Sequence, residues 1–194
     1  MRKIILGLSV LAVMMLTSGC STLHMGWTAV TQQHKLDDGA MAAYDDMFTK
    51  VTKDGDPAKA MMNEYRVSDD VSEDDLVDSI HSLADEYNMR VTGDTKMFTL
   101  KDAKPKEVKH ARIISLCAPA IAKVFLNHSR YFGGFMPCRI IYVEYGNGER
   151  WLVTMNMNLA IHGGYPLPPK MLKLGSSVKL AMEKIPERAA SGDF

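Results

Sequence analysis

The sequence predicts one domain that mixes α-helices with β-strands, and three observations carry that reading. Two runs rich in β-branched and aromatic residues, Cys138 to Tyr145 (CRIIYVEY) and Glu149 to Met157 (ERWLVTMNM), are joined by Gly146-Asn147-Gly148, which is hairpin chemistry. Ser72 precedes three acidic residues and an apolar stripe of Leu76, Ile80, Leu83, Ala84 and Tyr87, the pattern of a capped amphipathic helix. From Arg112 the chain reads strand, helix, strand.

Taken in order, the chain opens on Met1-Arg2-Lys3, then an apolar run from Ile4 to Leu16, then Thr17-Ser18-Gly19-Cys20. A transmembrane helix needs about 20 apolar residues, so this shorter run reads as a secretory signal over residues 1–19. LTSGC resembles the bacterial lipobox, with Thr17 where Leu is usual. The resemblance implies cleavage before Cys20 and acylation of its thiol with palmitate-type chains. At about 0.8 kcal/mol per buried methylene, two or three chains make a stable membrane anchor. Ser21 after the cysteine, rather than Asp, favours the outer membrane facing the periplasm under the sorting rule for such proteins.

Without the signal about 175 residues remain, enough for one domain with a proper core. Their charge is nearly balanced, 23 acidic residues against 21 basic ones, which argues against a nucleic-acid partner. The distribution is uneven. Asp37 to Asn88 holds 15 acidic residues and four basic, whereas Met89 to Phe194 holds 16 basic and eight acidic. Solvated helix faces account for this, and so does docking of the acidic part on the basic part or an anionic ligand on the latter.

Residues 20–59 read as a lipid tether with an extra N-terminal helix. Ser21 to Lys35 has no strong period, with a short strand expected at Trp27 to Val30. Leu36 to Thr52 carries Met41, Tyr44, Met47, Phe48 and Val51 at helical spacing, and Gly55-Asp56-Pro57 ends it. The main domain, residues 60–185, begins with a strand around Glu64 to Val67, followed by the Ser72 helix, whose Asp74, Asp75, Asp78 and Asp85 fall outside the apolar stripe and read as solvated. Met89 to Val91 starts a strand that Gly93-Asp94 should break, and Lys101 to Lys109 reads as a basic loop. Arg112 to Leu116 is a strand; Pro119 opens a helix with Ile121, Val124, Phe125 and His128 on one face. Trp151, Val153, Met155 and Met157 share a strand face taken as core, and Pro168-Pro169 opens a last helix before a polar tail at 186–194.

ARIISLCAP, a helix, MPC before an apolar strand and then a hairpin together resemble the bacterial and archaeal family known as domain of unknown function 302. Its members carry a Cys-Asn-Pro-like turn, here Cys117-Ala118-Pro119, and a Leu-Pro-Cys-like turn, here Met136-Pro137-Cys138. IHGGYPLPP and AASGDF are similar to envelope-anchored members. The resemblance spans about residues 60 to 185. It implies a small α+β fold, a mostly antiparallel sheet with helices packed on one face, similar to the TATA-binding-protein-like class. It implies no activity.

With Cys20 acylated, Cys117 and Cys138 are two thiols in an oxidising compartment, which favours a disulfide. A simple crossover would make their strands parallel and hold the thiols about 15 to 20 Å apart at about 3.3 Å per residue, beyond the roughly 7 Å between Cα atoms that a disulfide tolerates. The escape is Arg130 to Cys138, whose glycines let it double back. Paired cysteines in members without an envelope signal argue for free thiols instead. A copper or zinc site is the third reading, with Cys117, Cys138, His128, His162 and Met155 as candidates, since sulfur and imidazole select those metals. Twelve methionines outside the signal are many, but Met also fills cores. His128 on an apolar helix face reads as core; His162, beside Gly163-Gly164 in a loop, is the histidine to mutate first.

No G-x-S-x-G, P-loop, Rossmann, C-x-x-C-H or H-E-x-x-H pattern occurs. The sequence therefore favours a lipid-anchored periplasmic domain that binds a small ligand, a metal or an envelope protein. One alternative is a thiol-dependent redox or sulfur-handling enzyme using Cys117, a cysteine ahead of a helix N-terminus, or Cys138. The other is a structural module closed by a Cys117–Cys138 disulfide.

Overall fold

The computed structural model describes residues 20–193, so the signal expected over residues 1–19 and Phe194 lie outside the described residues. Helix α1 (Cys20–Gln32) and a 3-10 turn lead into α2 (Ala40–Asp54) and the short α3 (Pro57–Ala60). Then come β1 (Met62–Arg66), α4 (Glu73–Glu86), β2 (Arg90–Thr99) and β3 (Val108–Cys117). Helix α5 (Pro119–His128) and a 3-10 turn (Arg130–Phe135) precede β4 (Cys138–Tyr145) and β5 (Arg150–Met155), and α6 (Asn158–His162) and α7 (Pro169–Ser191) close the chain.

The five strands form one sheet in the order β1-β5-β4-β3-β2, and every neighbouring pair is antiparallel. Strand residues alternate between faces. Ile114, Leu116, Ile140, Tyr142 and Leu152 therefore share one face, which meets Leu76, Ile80 and Leu83 of α4 and Met182 and Ile185 of α7 in a core where each is at most 2% exposed. The alternate residues Ile113, Ile141, Val143, Trp151, Val153 and Met155 stay partly exposed on the other face. This is the α+β fold with a mostly antiparallel sheet and helices on one face.

Local signals work as expected at several ends. Ser72 Oγ accepts from the Asp75 amide at 3.1 Å, and Asp56 caps α3 by accepting from Ala58 N–H at 2.8 Å. In the β4–β5 turn a Cβ on Gly146 would strike the Ala103 and Lys104 carbonyls, so only glycine fits.

Four expectations need correction. Trp27 to Val30 is helical, not a strand, because no sheet edge lies alongside to pair its backbone and a helix satisfies that backbone internally. Gly93-Asp94 does not end β2; two irregularities in the β2–β3 register absorb the misfit, and the strand runs on to Thr99. Met155 shares its face with Trp151 and Val153, but the buried face of β5 is that of Leu152 and Thr154. Residues 186–191 are no polar tail: α7 continues through Pro186, Ala189 and Ala190 are buried, and Ser68 N–H donates to the Ala190 carbonyl at 2.8 Å.

Acidic and basic parts of the chain meet at several places, among them Arg188 with Glu86 and a cluster around Arg112. Arg112, 13% exposed, donates Nε to Asp94 at 2.6 Å and Nη1 to Glu73 in the first turn of α4 at 2.9 Å. His110 Nε2 lies 3.2 Å from the same Glu73 oxygen. Asp74, Asp75, Asp78 and Asp85 are exposed and solvated. The hydrogen bond from Arg112 leads a set of contacts that holds Asp94 below the usual carboxylate range against the effect of burial. Burial would raise Glu73, but Arg112, His110 and Lys96 together outweigh it and lower its pKa too.

Arg112→Met should therefore cost about 2 to 3 kcal/mol in urea denaturation at neutral pH, since it strands two carboxylates in a partly buried site. Both carboxylates have lowered folded pKa values. Their contribution is complete above the unfolded values near pH 4 and fades as pH falls through the folded ones. The wild-type chain should lose stability over that acid range more steeply than the variant; equal slopes in both would refute the assignment.

Candidate functional site

The two free thiols come together because β3 and β4 are antiparallel. Leu116 sits opposite Cys138 in the register, so Cys117 ends one strand beside the residue that begins the next. The expected parallel crossover is corrected here. After α5 the 3-10 turn over Arg130–Phe135 reverses the chain, and Met136-Pro137 delivers it to the same sheet end that Cys117 left. The glycine-bearing segment does double back. The arrangement holds the cysteines as neighbours without a disulfide.

Both thiols line a cavity of about 60 Å³ between this sheet end and helices α5, α6 and α7. Ile121 and Phe125 of α5 form one wall, Phe132 and Phe135 of the turn a second, and Ile161 and Val178 a third. Phe125 meets Phe132 edge-to-face with centroids 5.0 Å apart, which fixes the turn against the helix. Gly175 leaves room for that ring: a Cβ there would come within 3.1 Å of Phe125 Cζ. Met89, Met136 and Met157 supply thioether sulfur to the lining. Among the described residues, no titratable side chain apart from the thiols lines it. Burial, and next the neighbouring Cys117, push the Cys138 thiol up to about 11.

The cavity has neighbours. A small void shares Phe135, Cys138 and Met157 with it and adds Met155 and Met182. A wider groove of about 500 Å³ runs between α2 and the turn, lined by Met47, Met61, Met155 and Leu159, and it shares Phe132, Phe135 and Ala160 with the thiol cavity.

The other candidates lie elsewhere. His128 is exposed and not core; its ring touches only the rim of the aromatic cluster, 6.2 Å from Phe132, because the α5 face that turns inward is that of Phe125. His162 Nδ1 stands 2.8 Å from Asp37 Oδ1, and Tyr44 donates its hydroxyl to the Gly163 carbonyl at 2.7 Å. These contacts fasten the N-terminal helices to the α6 loop. The Gly39 backbone N–H and then the His162 hydrogen bond hold the Asp37 carboxyl below its usual range. Met155 lines the groove rather than the thiol cavity. Cys20 begins α1. Among the described residues, no three His, Cys, Asp or Glu side chains gather as a metal site.

Sequence reasoning did not single out Met89, Met136 or the Glu73–His110–Arg112–Asp94 cluster. The MPC turn placed Met136 beside Cys138, but nothing local signalled Met89, which arrives from another strand end.

Alkylation mapped by mass spectrometry should show Cys138 reacting slowly at pH 7 and accelerating as pH approaches 11, because only the thiolate attacks. A flat rate from pH 7 to 10 in the folded protein would contradict the buried placement.

A comparison with curated proteins finds no match. Among solved structures, one similar to this chain is described as an uncharacterised conserved protein DUF302 from Bacillus stearothermophilus. It is 12% identical, with a TM-score of 0.50, and the alignment covers 66% of this chain and 98% of that one, so the likeness is one of fold. The family model described as Domain of unknown function DUF302 matches residues 64–185, well over half of the sequence, and the chain belongs to that family.

Proposed function

We propose that this member is an envelope lipoprotein, anchored through acylated Cys20 to the outer membrane and facing the periplasm, whose domain binds a small ligand in the Cys117–Cys138 cavity. The observation that carries the binding half is the pairing of two free thiols with an apolar cavity that holds no other titratable side chain. Such a wall selects a small apolar or sulfur-seeking ligand over a charged polar one. Turnover finds less support than binding. A nucleophilic cysteine needs a lowered pKa and a nearby base, whereas Cys138 is raised and no histidine or carboxylate lines the cavity.

The anchoring half rests on residues 1–20 together with α1. Leu23, Met25, Trp27 and Val30 of that helix are each at least 50% exposed, which suits a segment lying next to a lipid surface. Residues 20–59 then act as tether and spacer, and residues 60–185 as the binding domain. A structural module closed by a Cys117–Cys138 disulfide is the second reading, favoured by the cysteines' adjacency in the register.

Palmitate labelling should mark the wild-type chain and be abolished by Cys20→Ser, with the variant moving to the soluble periplasmic fraction; a labelled Cys20→Ser chain would end the anchoring reading. Anaerobic isolation followed by thiol counting should find Cys117 and Cys138 both free. Zero free thiols would remove the ligand cavity and leave the disulfide module.

A further inference from the structure

The methionines are not spread evenly. Seven of the twelve outside the signal, Met47, Met61, Met89, Met136, Met155, Met157 and Met182, line the thiol cavity and the two spaces that share walls with it. Only Met89 and Met182 of these are fully buried, so core filling does not account for the rest. Three spaces that share Phe135, two of them also lined by Cys138, thus carry thioethers from the open groove to the thiol pair.

Building on the binding reading above, we infer that the cavity is a Cu(I) site, held by Cys117 and Cys138 with Met157 as supporting ligand and reached through the Met47–Met61–Met155 groove. The donor set decides the metal. Thiolate and thioether together suit Cu(I), which accepts two or three sulfur ligands, whereas zinc asks for four donors and takes nitrogen, oxygen or thiolate. The cavity offers zinc only two thiols and no histidine or carboxylate.

Charge is also consistent. Two thiolates on Cu(I) leave one net negative charge, and Cys117 immediately precedes the N-terminus of the ten-residue α5, whose N-cap Ala118 offers no side-chain acceptor. The dipole of that helix end favours an anion. Binding releases the thiol protons to solvent, so affinity rises with pH.

The test uses the full-length chain in detergent, reduced and anaerobic, in competition with a Cu(I)-specific chelator. One Cu(I) per chain is expected, with an X-ray absorption first shell of sulfur alone. Cys117→Ser and Cys138→Ser should each weaken binding by about 100-fold or more, and Met157→Leu by roughly 10-fold, with unchanged circular dichroism in every variant. His162→Ala should leave it unchanged. Nitrogen in the first shell, loss on His162→Ala, or equal binding by the Cys117→Ser/Cys138→Ser double variant would overturn the inference. A chain with two free thiols that retains no Cu(I) refutes this site while sparing the cavity reading; a chain whose thiols form a disulfide that resists reduction in the folded protein refutes both.

Discussion

The pairing of β3 with β4 governs this structure. One antiparallel register sets Ile114 opposite Ile140 and Leu116 opposite Cys138, the centre of the core. The same ladder puts Arg112 opposite Tyr142, so its two ends differ in character. At the Arg112 end lies an ion cluster with Glu73, Asp94 and His110; at the Cys138 end lies an apolar cavity. A slip of one residue would turn every core side chain of β4 to the open face and separate the thiols from the cavity. The polar end instead ties β3 to its other neighbours, since Arg112 meets Asp94 of β2 and Glu73 of α4 together.

The second constraint is how the N-terminal helices sit on that frame. Their attachment is polar and local: Asp37 with His162 and the Gly164 carbonyl, Tyr44 with Gly163, and Asn156 N–H with the Met61 carbonyl. Between these contacts lies the methionine-lined groove rather than packed core. Few buried apolar contacts and a handful of hydrogen bonds are what a locally opening segment looks like. The groove thus lies between the N-terminal helices and the sheet domain, and His162 stands outside both it and the thiol cavity.

Much of this was readable residue by residue. Ser72 with its acidic first turn, the Gly146-Asn147-Gly148 hairpin and Pro119 at a helix start are local signals, and local physics decided them. The failures share a cause in tertiary context. Strand, helix, strand order does not fix strand direction; whether the chain crosses over or doubles back depends on how Phe132 and Phe135 pack after α5. Which face of β5 is buried depends on where α4 and α7 lie, not on which face holds Trp151. The stripe over Ile121 to His128 is continuous in sequence, but only Phe125 of that helix is buried, and His128 stays exposed in its last turn. Met89 belongs to the cavity only through the folded sheet, so no spacing rule could have joined it to Cys138.

Magnitudes explain why an apolar cavity can hold thiols at all. Raising Cys138 to about 11 from an ordinary value near 9 corresponds to about 3 kcal/mol against its thiolate. As protonated thiols, both cysteines behave as small hydrophobes and cost the core little. A ligand that binds the thiolate must offset that penalty, which a proton-releasing soft metal does with ease, since metal–sulfur sites reach apparent binding energies of about 10 kcal/mol or more. An organic ligand of only a few atoms, bounded at about 1.5 kcal/mol per atom in the very best cases, has little binding energy left after that offset. The size and polarity of the cavity therefore point the same way as its sulfur content, toward an occupant that is small and strongly sulfur-seeking.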